Sequence, residues 1–165
     1  MDGLKYVLDA NVLIEAARRY YAFDIAPPFW AGLCQHFTNG RVMSIDRVQA
    51  ELMKGQDDLS RWAANDFREA FMSTDEQGVI ESFSEVMRWV QAQPQYLDAA
   101  KASFAAGADG WLVAFSRVTG HTVVTHEIPS PTARRKIPIP IVCINYRVPF
   151  IDTYGMLRDL GVRFR

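Results

Sequence analysis

Short apolar segments that alternate with amphipathic segments constrain the fold of this chain most. The candidate strands run from Lys5 to Leu8, from Arg41 to Ile45 and from His121 to Thr125. Longer stretches with helical spacing separate them, and strands separated by helices pair in parallel through right-handed crossovers. We therefore predict an α/β protein, a three-layer α/β/α sandwich whose central parallel sheet has four to five short strands.

Start and stop signals place the helices between these strands. Pro27 and Pro28 suit the first turn of a helix that ends at Asn39 and Gly40. Asp46, with Gln49 as its capping-box partner, predicts the start of the next helix, and Gly55 its end.

The second half of the chain follows the same logic. Residues 56–95 are predicted to be entirely helical, because apolar residues from Val79 to Val90 recur at helical spacing. A further helix contains Trp111 and ends at Gly120. Four prolines make residues 128–140 a predicted loop, and residues 152–160 form the closing helix.

Size and composition favour one globular domain. The chain has 165 residues, of which 49% are hydrophobic and 22% charged, so we predict a single domain over residues 1–165 with a helical insertion at about 56–95. No apolar run approaches the roughly 20 residues of a membrane helix, and the acidic N-terminal stretch is unlike a signal peptide. We expect a cytoplasmic protein with no membrane partner. Cys34 and Cys143 have neither disulfide-framework nor zinc-site spacing.

Charge is distributed unevenly along the chain. The net charge is -1, yet residues 117–165 hold 8 basic and 3 acidic side chains, a net charge of +5. Bulk electrostatics therefore do not predict nucleic-acid binding, but the C-terminal third permits local contact with a polyanion. A chance distribution of solvated charges remains an equal alternative at this point.

Four carboxylates fall at positions that suit a shared pocket. Asp9 and Glu127 follow predicted strands, whereas Glu51 and Asp109 lie on flanking helices. If the first strand neighbours the strand from His121 to Thr125, all four reach the crevice beyond the carboxyl ends of the strands. Two such charges ~5 Å apart repel by roughly 3 kcal/mol, so the cluster requires a cation or raised pKa values. An all-oxygen ligand set selects Mg²⁺ or Mn²⁺, whose typical chemistry is phosphodiester hydrolysis.

Each acid also has a purely structural interpretation. Asp9 is placed to cap a helix, Asp109 with Gly110 forms a turn dipeptide, and Glu51 could be an exposed helix residue. Asp46 is interpreted as a cap. His126 is predicted to point away from the pocket if the chain is still extended there.

These motifs together resemble a PIN domain, the metal-dependent nuclease fold of VapC-type toxins. Residues 8–14 (LDANVLI) are similar to the opening DxNVLI motif, and residues 44–52 (SIDRVQAEL) resemble the family's S-x-x-x-V-x-x-E-L motif. Residues 108–114 (ADGWLVA) match its A-D-x-x-L-V-A helix. Closer likeness to an uncharacterised PIN-like branch comes from Trp30, Trp62, VVTHEIP and the ending MLRDLGVRF.

The resemblance departs from the family in two places. Glu127 stands where the family usually has aspartate, and a basic, proline-rich segment replaces the usual D-x-D-F continuation. By resemblance, Asp9, Glu51 and Asp109 would be catalytic metal ligands and Glu127 would support a second ion or a water. These departures concern the fourth acid more than the first three.

The resemblance also implies residues that support the acids. Asn11 would position Asp9 through a hydrogen bond, and Thr125 would line the pocket with its hydroxyl. An oxygen-rich ligand set needs such partners to fix its geometry.

The sequence thus predicts a Mg²⁺- or Mn²⁺-dependent endoribonuclease, the toxin of a bacterial type II toxin–antitoxin pair. Its expected partners are an RNA substrate and a cognate antitoxin, and a homodimer is an open option. A haloacid-dehalogenase-type phosphatase needs a second aspartate where Asn11 stands, and no nucleotide-binding glycine motif is present. The alternative from another class is a catalytically silent PIN-like scaffold that binds RNA or a protein.

Three consecutive cations provide candidate RNA contacts. Arg134, Arg135 and Lys136 follow Glu127 closely enough to lie beside the pocket mouth, where they would hold the phosphates that flank the cut. The alternative for them is a solvated surface loop.

Overall fold

A computed structural model of the protein describes residues 3–162. The ends of the chain, residues 1–2 and 163–165, lie outside this part, and so do the last two residues of the MLRDLGVRF motif. The strands are Tyr6–Leu8 (β1), Val42–Ile45 (β2), Phe71–Met72 (β3), Thr122–Val124 (β4) and Phe150–Ile151 (β5). The helices are Ala10–Glu15 (α1), Pro27–Thr38 (α2), Asp46–Leu52 (α3), Asp58–Ala64 (α4), Gln77–Gln91 (α5), Asp98–Ala106 (α6), Asp109–Thr119 (α7), Ile139–Tyr146 (α8) and Thr153–Asp159 (α9).

The five strands form one parallel sheet in the order β3-β2-β1-β4-β5. The central strand β1 is fully buried at Tyr6, Val7 and Leu8, as expected for a parallel strand covered on both faces. Helices flank the sheet, which confirms the predicted three-layer α/β/α sandwich with a parallel sheet of four to five strands.

The strand order creates a crevice beside β1. From β1 the chain extends the sheet through β2 and β3 on one side, then returns to add β4 and β5 on the other. This reversal between β1 and β4 is the topological switch point, beyond whose carboxyl ends open α/β sheets bind ligands. Val7 pairs with Val123 and Leu8 with Val124, so the residues that follow both strands meet at this edge.

Residues 56–95 are not helical throughout. Helix α4, a 3-10 turn at Arg68–Ala70 and strand β3 precede α5. Strand β3 has only two residues, which pair with Ser44 and Ile45. So short a strand leaves no alternating pattern in the sequence, and its stability depends on pairing with β2.

The predicted loop over residues 128–140 is shorter than expected at its C-terminal end. Helix α8 begins at Ile139, and Pro140 occupies its first turn, where a missing amide hydrogen costs nothing. Strand β5 also has only two residues and was not predicted.

The capping box predicted at Asp46 is not formed. Asp46 is the first residue of α3, and its carboxylate accepts hydrogen bonds from Thr74 N at 3.1 Å and Thr74 Oγ1 at 2.8 Å. Gln49 Nε2 instead donates to the carbonyl oxygen of Ala63 at 3.1 Å. Asp46 therefore connects α3 to the segment after β3, which the sequence pattern does not reveal.

Other local signals are confirmed. Gly40 and Gly120 end α2 and α7 with φ of 75° and 77°, a backbone region that favours glycine. Trp30 and Trp62, part of the PIN-like resemblance, are both buried, with ring centroids 4.9 Å apart. The two tryptophans therefore contribute to the packed core of the protein, and the resemblance that they carry concerns the core. No helix within residues 3–162 is long and apolar enough to cross a bilayer.

Candidate functional site

Asp9 occupies the centre of the switch-point crevice. It follows β1 directly, its backbone N–H donates to Val124 O at 3.0 Å, and the residue is only 2% exposed. Thr125 Oγ1 donates to Asp9 Oδ2 at 3.1 Å, so the predicted supporting role of Thr125 coincides with a direct contact. Asp9 occupies the N-cap position of α1, where the Asn11 backbone faces its carboxylate without a hydrogen bond of full capping geometry.

Burial and neighbouring charge both act on Asp9. Desolvation, followed by the charges of Asp109 and Glu127, raises the pKa of Asp9 to about 8, although the Thr125 hydrogen bond and the Asn11 backbone oppose the shift. The Asn11 side chain is exposed and lines the adjacent cavity. The predicted hydrogen bond from Asn11 to Asp9 is therefore made by the Asn11 backbone, in the first turn of α1, and not by its side chain.

Asp109 enters the same crevice from α7. It is the first residue of this helix, and Gly110 continues the helix, so the two residues do not form the alternative turn. Gly110 packs closely against α5, because a Cβ there would stand 2.7 Å from Met87 Cε, the flexible end of that side chain, and 3.1 Å from Phe83 Cε2. Burial, together with the charge of Glu127, raises the pKa of Asp109 to about 7 despite the opposing charge of Lys136.

Glu127 and Lys136 form an ion pair over the acidic crevice. Lys136 Nζ lies 3.0 Å from Glu127 Oε1, and the Glu127 side chain is 14% exposed. The backbone N–H of Glu127 donates to Thr125 Oγ1 at 3.1 Å, which links Glu127 to the residue that contacts Asp9. The second carboxylate oxygen, Glu127 Oε2, is buried and has no hydrogen-bond partner within the described part of the chain.

Glu51 approaches from α3 and supports the start of α7. Its Oε1 atom accepts a hydrogen bond from Ala108 N at 2.9 Å. It lines a cavity of about 370 Å³ together with Asn11, Asp109, Arg135 and Lys136. Glu51 is therefore half-buried beside Asp109 rather than being an exposed helix residue.

The four predicted acids thus belong to one electrostatic cluster, but not to a compact ligand cage. Among residues 3–162, no three His, Cys, Asp or Glu side chains stand close enough to enclose a metal ion. Burial first, and the neighbouring carboxylates second, raise the pKa values of Asp9 and Asp109, and Glu127 Oε2 lacks a partner, so the ammonium of Lys136 does not neutralise the crevice. The type of ligand atom, carboxylate oxygen throughout, suits Mg²⁺ or Mn²⁺.

The three consecutive cations differ in their placement. All three are exposed, but only Arg135 and Lys136 line the cavity. The carbonyl oxygen of Arg134 accepts a hydrogen bond from Leu97 N at 3.0 Å. Gln95 Nε2 donates to the carbonyl oxygens of Pro131 and Ala133, both at 2.6 Å. Backbone carbonyl oxygens of this loop thus accept hydrogen bonds from Gln95 and Leu97. These contacts, together with the loop's prolines, hold the loop beside the pocket.

Sequence reasoning did not find two features of the site. The Lys136–Glu127 pair has no local signal, because the loop that brings its members together is irregular. The second feature involves His126, whose Nε2 lies 3.0 Å from Thr153 Oγ1 and whose ring contacts Tyr20 and Tyr154. Tyr20 ends the π-helical turn Ala16–Tyr20 that follows α1, and Tyr154 lies on α9, so the two are too far apart in the sequence to suggest a cluster.

Fold and site define an α/β protein with an acidic crevice at the switch point of a parallel sheet. Residues 6–164 match the model of a family described as a domain of unknown function, DUF4411, and the chain belongs to this family. A comparison with curated proteins finds no match.

Proposed function

We propose that this protein is a Mg²⁺- or Mn²⁺-dependent endoribonuclease that hydrolyses RNA phosphodiester bonds. The observation that carries the proposal is the convergence of Asp9, Asp109 and Glu127, whose mutual repulsion helps raise the pKa values of the two aspartates. Such perturbed carboxylates at a ligand-binding crevice are typical of functional sites. The motif resemblance to PIN domains supports the same assignment.

The residues of this chain have separable roles in the proposed reaction. Asp9, Asp109 and Glu51 would hold the ion once their side chains draw closer together than they stand among the described residues, and Glu127 would contribute its unpartnered oxygen to the ion or to a water. Thr125 fixes Asp9 Oδ2, and the Ala108 N–H fixes Glu51 Oε1, so neither carboxylate rotates freely. The bound ion would activate water and neutralise charge on the phosphate.

The test is cleavage of total cellular RNA by purified protein, with Mn²⁺ and with excess EDTA. We expect cutting that EDTA stops and that Asp9→Asn abolishes. Asp57→Asn is the matched control, because Asp57 is an N-cap on α4 and asparagine caps equally well. Undiminished cutting in EDTA, or by the Asp9→Asn protein, would refute the metal-nuclease proposal.

A toxin role is the finer part of the proposal and follows from the VapC-like motifs. Expression in a bacterial cytoplasm should stop growth, and Asp9→Asn should relieve the arrest. A small DNA-binding protein encoded beside this gene would be the candidate antitoxin, and its co-expression should restore growth. Normal growth with wild-type protein at high levels would contradict this role while leaving the biochemical assay to decide on nuclease activity.

A second candidate function is a catalytically silent scaffold that binds RNA or a protein. The spread of the acids and the ion pair of Lys136 with Glu127 favour it, because part of the cluster is already neutralised. This function predicts no thermal stabilisation by Mn²⁺. Mass action predicts about 2.7 kcal/mol of stabilisation at a hundredfold excess over Kd if the ion binds the folded state alone.

A further inference from the structure

Three aromatic rings form a cluster beside the acidic crevice. The ring centroids of Tyr20, His126 and Tyr154 lie 6.2 to 6.4 Å from one another. Tyr20 is 51% exposed and Tyr154 is 41% exposed, so both present ring surface to solvent.

The cluster lies at the same edge of the sheet as the acids. His126 stands between Thr125, which contacts Asp9, and Glu127, whose Oε2 is unpartnered. Tyr154 is in the first turn of α9, just beyond β5, and β5 is two strands from β1 in the sheet. At about 4.8 Å per strand spacing, Asp9 and the start of α9 are separated by roughly 10 Å across the sheet edge.

The surroundings of the rings include a side-chain contact to the imidazole and a positive charge without an ion-pair partner. The contact between Thr153 Oγ1 and His126 Nε2 holds the imidazole in place. Arg158 is exposed, lies one helical turn after Tyr154, and has no ion-pair partner among the described residues. Neither nearby acid pairs with Arg158. Asp152, the N-cap of α9, accepts a hydrogen bond from Gly155 N, and Asp159, the last residue of α9, pairs with Arg41.

We propose that Tyr20, His126 and Tyr154 form a stacking surface for an unpaired base of single-stranded RNA, with Arg158 placed to meet its backbone. Exposed aromatic rings next to an arginine are the usual means of binding unstacked bases, and a paired base cannot reach them. This inference rests on the proposed function for the choice of RNA. It makes an unpaired segment the substrate and places one of its bases beside the crevice.

Fluorescence anisotropy with a labelled 12-nucleotide single-stranded RNA tests the surface. All proteins carry Asp9→Asn, so that the RNA stays intact. We expect Tyr20→Ala and Tyr154→Ala each to weaken binding by ~5- to 100-fold, the range for losing one base–aromatic stack, and Tyr→Phe at either position to retain binding. Ile80→Ala is the matched control, because Ile80 on α5 is 42% exposed and lies outside the cluster.

Two further measurements separate stacking from charge and from a structural role. The slope of log affinity against log salt should be unchanged by Tyr154→Ala but should flatten with Arg158→Ala. A series of RNAs that each lack one base locates the stacked base. At that position, removing the base and replacing Tyr154 by alanine should weaken binding by less together than the sum of the two separate effects on the binding free energy. A duplex of the same length should show no dependence on either tyrosine.

The outcomes distinguish this inference from the proposed function. Tyrosine-dependent binding without metal-dependent cleavage would keep the surface and refute the nuclease. Cleavage by wild-type protein, with equal binding by the alanine variants, would keep the nuclease and overturn the surface. Absence of single-stranded RNA binding, or binding of a protein partner alone through the tyrosines, would also overturn it.

Discussion

The metal-free protein should lose stability as the pH rises through the weakly acidic range. The pKa values of Asp9 and Asp109 are raised to about 8 and about 7, against an ordinary value of 3.8. A raised carboxyl pKa means that the folded state holds a proton that the unfolded state has released. The resulting stability is therefore complete at acid pH and is lost as the pH increases through the folded-state pKa values.

The magnitude follows from counting protons. Between pH 5 and pH 6.5 the folded protein holds about two protons more than the unfolded chain, one on each aspartate. The free energy of unfolding should then fall by about 2.7 kcal/mol per pH unit from these groups. Asp109→Asn removes one of the two protons and reduces this contribution to about 1.4 kcal/mol per unit, so the two proteins diverge by about 2 kcal/mol over this interval.

Urea unfolding at several pH values, after removal of metal ions with EDTA and dialysis, measures this difference. Titrating groups that do not interact with Asp109 contribute equally to both proteins and cancel in the subtraction. Asp57→Asn should retain the wild-type slope, because Asp57 caps α4 and is not among the charges that act on Asp9 or Asp109. Parallel slopes for wild type and Asp109→Asn would refute the reasoning, and so would a uniform loss of ~0.3–1 kcal/mol at all pH values, the effect of losing one charge from a first helical turn.

Further predictions concern the other charged residues of the site. Glu51→Gln keeps an acceptor for Ala108 N and should weaken Mn²⁺ binding with little effect on folding, whereas Glu51→Ala should also cost about 1 kcal/mol of stability. Calorimetry of each variant separates the loss of Mn²⁺ binding from the loss of stability. Lys136→Met removes the partner of Glu127, so the metal-free protein should melt at a lower temperature at pH 8 and gain more than wild type from added Mn²⁺. Replacing Arg134, Arg135 and Lys136 together by alanine should flatten the salt dependence of RNA binding by at most ~2 in slope without changing the cut site, and an unchanged slope would show that they do not touch the backbone.

The fold could be predicted where a local pattern decided the structure. Strand β1 and strand β4 are continuous apolar segments, and their neighbouring positions place Asp9 and Thr125 together. Strands β3 and β5 could not be predicted, because two residues carry no period and form a strand only by pairing with an existing one. The contact between Asp46 and Thr74 could not be predicted either, because Thr74 follows β3 and its position depends on the pairing of that strand.

The positions of the four candidate acids could be predicted from the sequence, but the charges that balance them could not. Motif spacing identified four carboxylates that the fold brings into one cluster. The ion pair of Lys136 with Glu127 depends on how residues 95–97 hold an irregular loop, and no sequence pattern encodes that contact. The hydrogen bond predicted from Asn11 to Asp9 comes from the Asn11 backbone in the first turn of α1, whereas the Asn11 side chain is exposed and lines the cavity.

The charge balance of the crevice leads to a final prediction about metal binding. Lys136 meets one oxygen of Glu127, yet Asp9 and Asp109 keep raised pKa values, so one ammonium does not offset the cluster. Carboxylates bind metal ions only after losing their protons, and binding at pH 6 should therefore release up to about two protons per ion. At pH 9 the release should approach zero, because both aspartates are already ionised. Titration calorimetry of Mn²⁺ binding in two buffers of different ionisation enthalpy counts these protons. Asp57→Asn should match wild type, and binding that releases no protons at pH 6 would show that the ion does not contact Asp9 or Asp109.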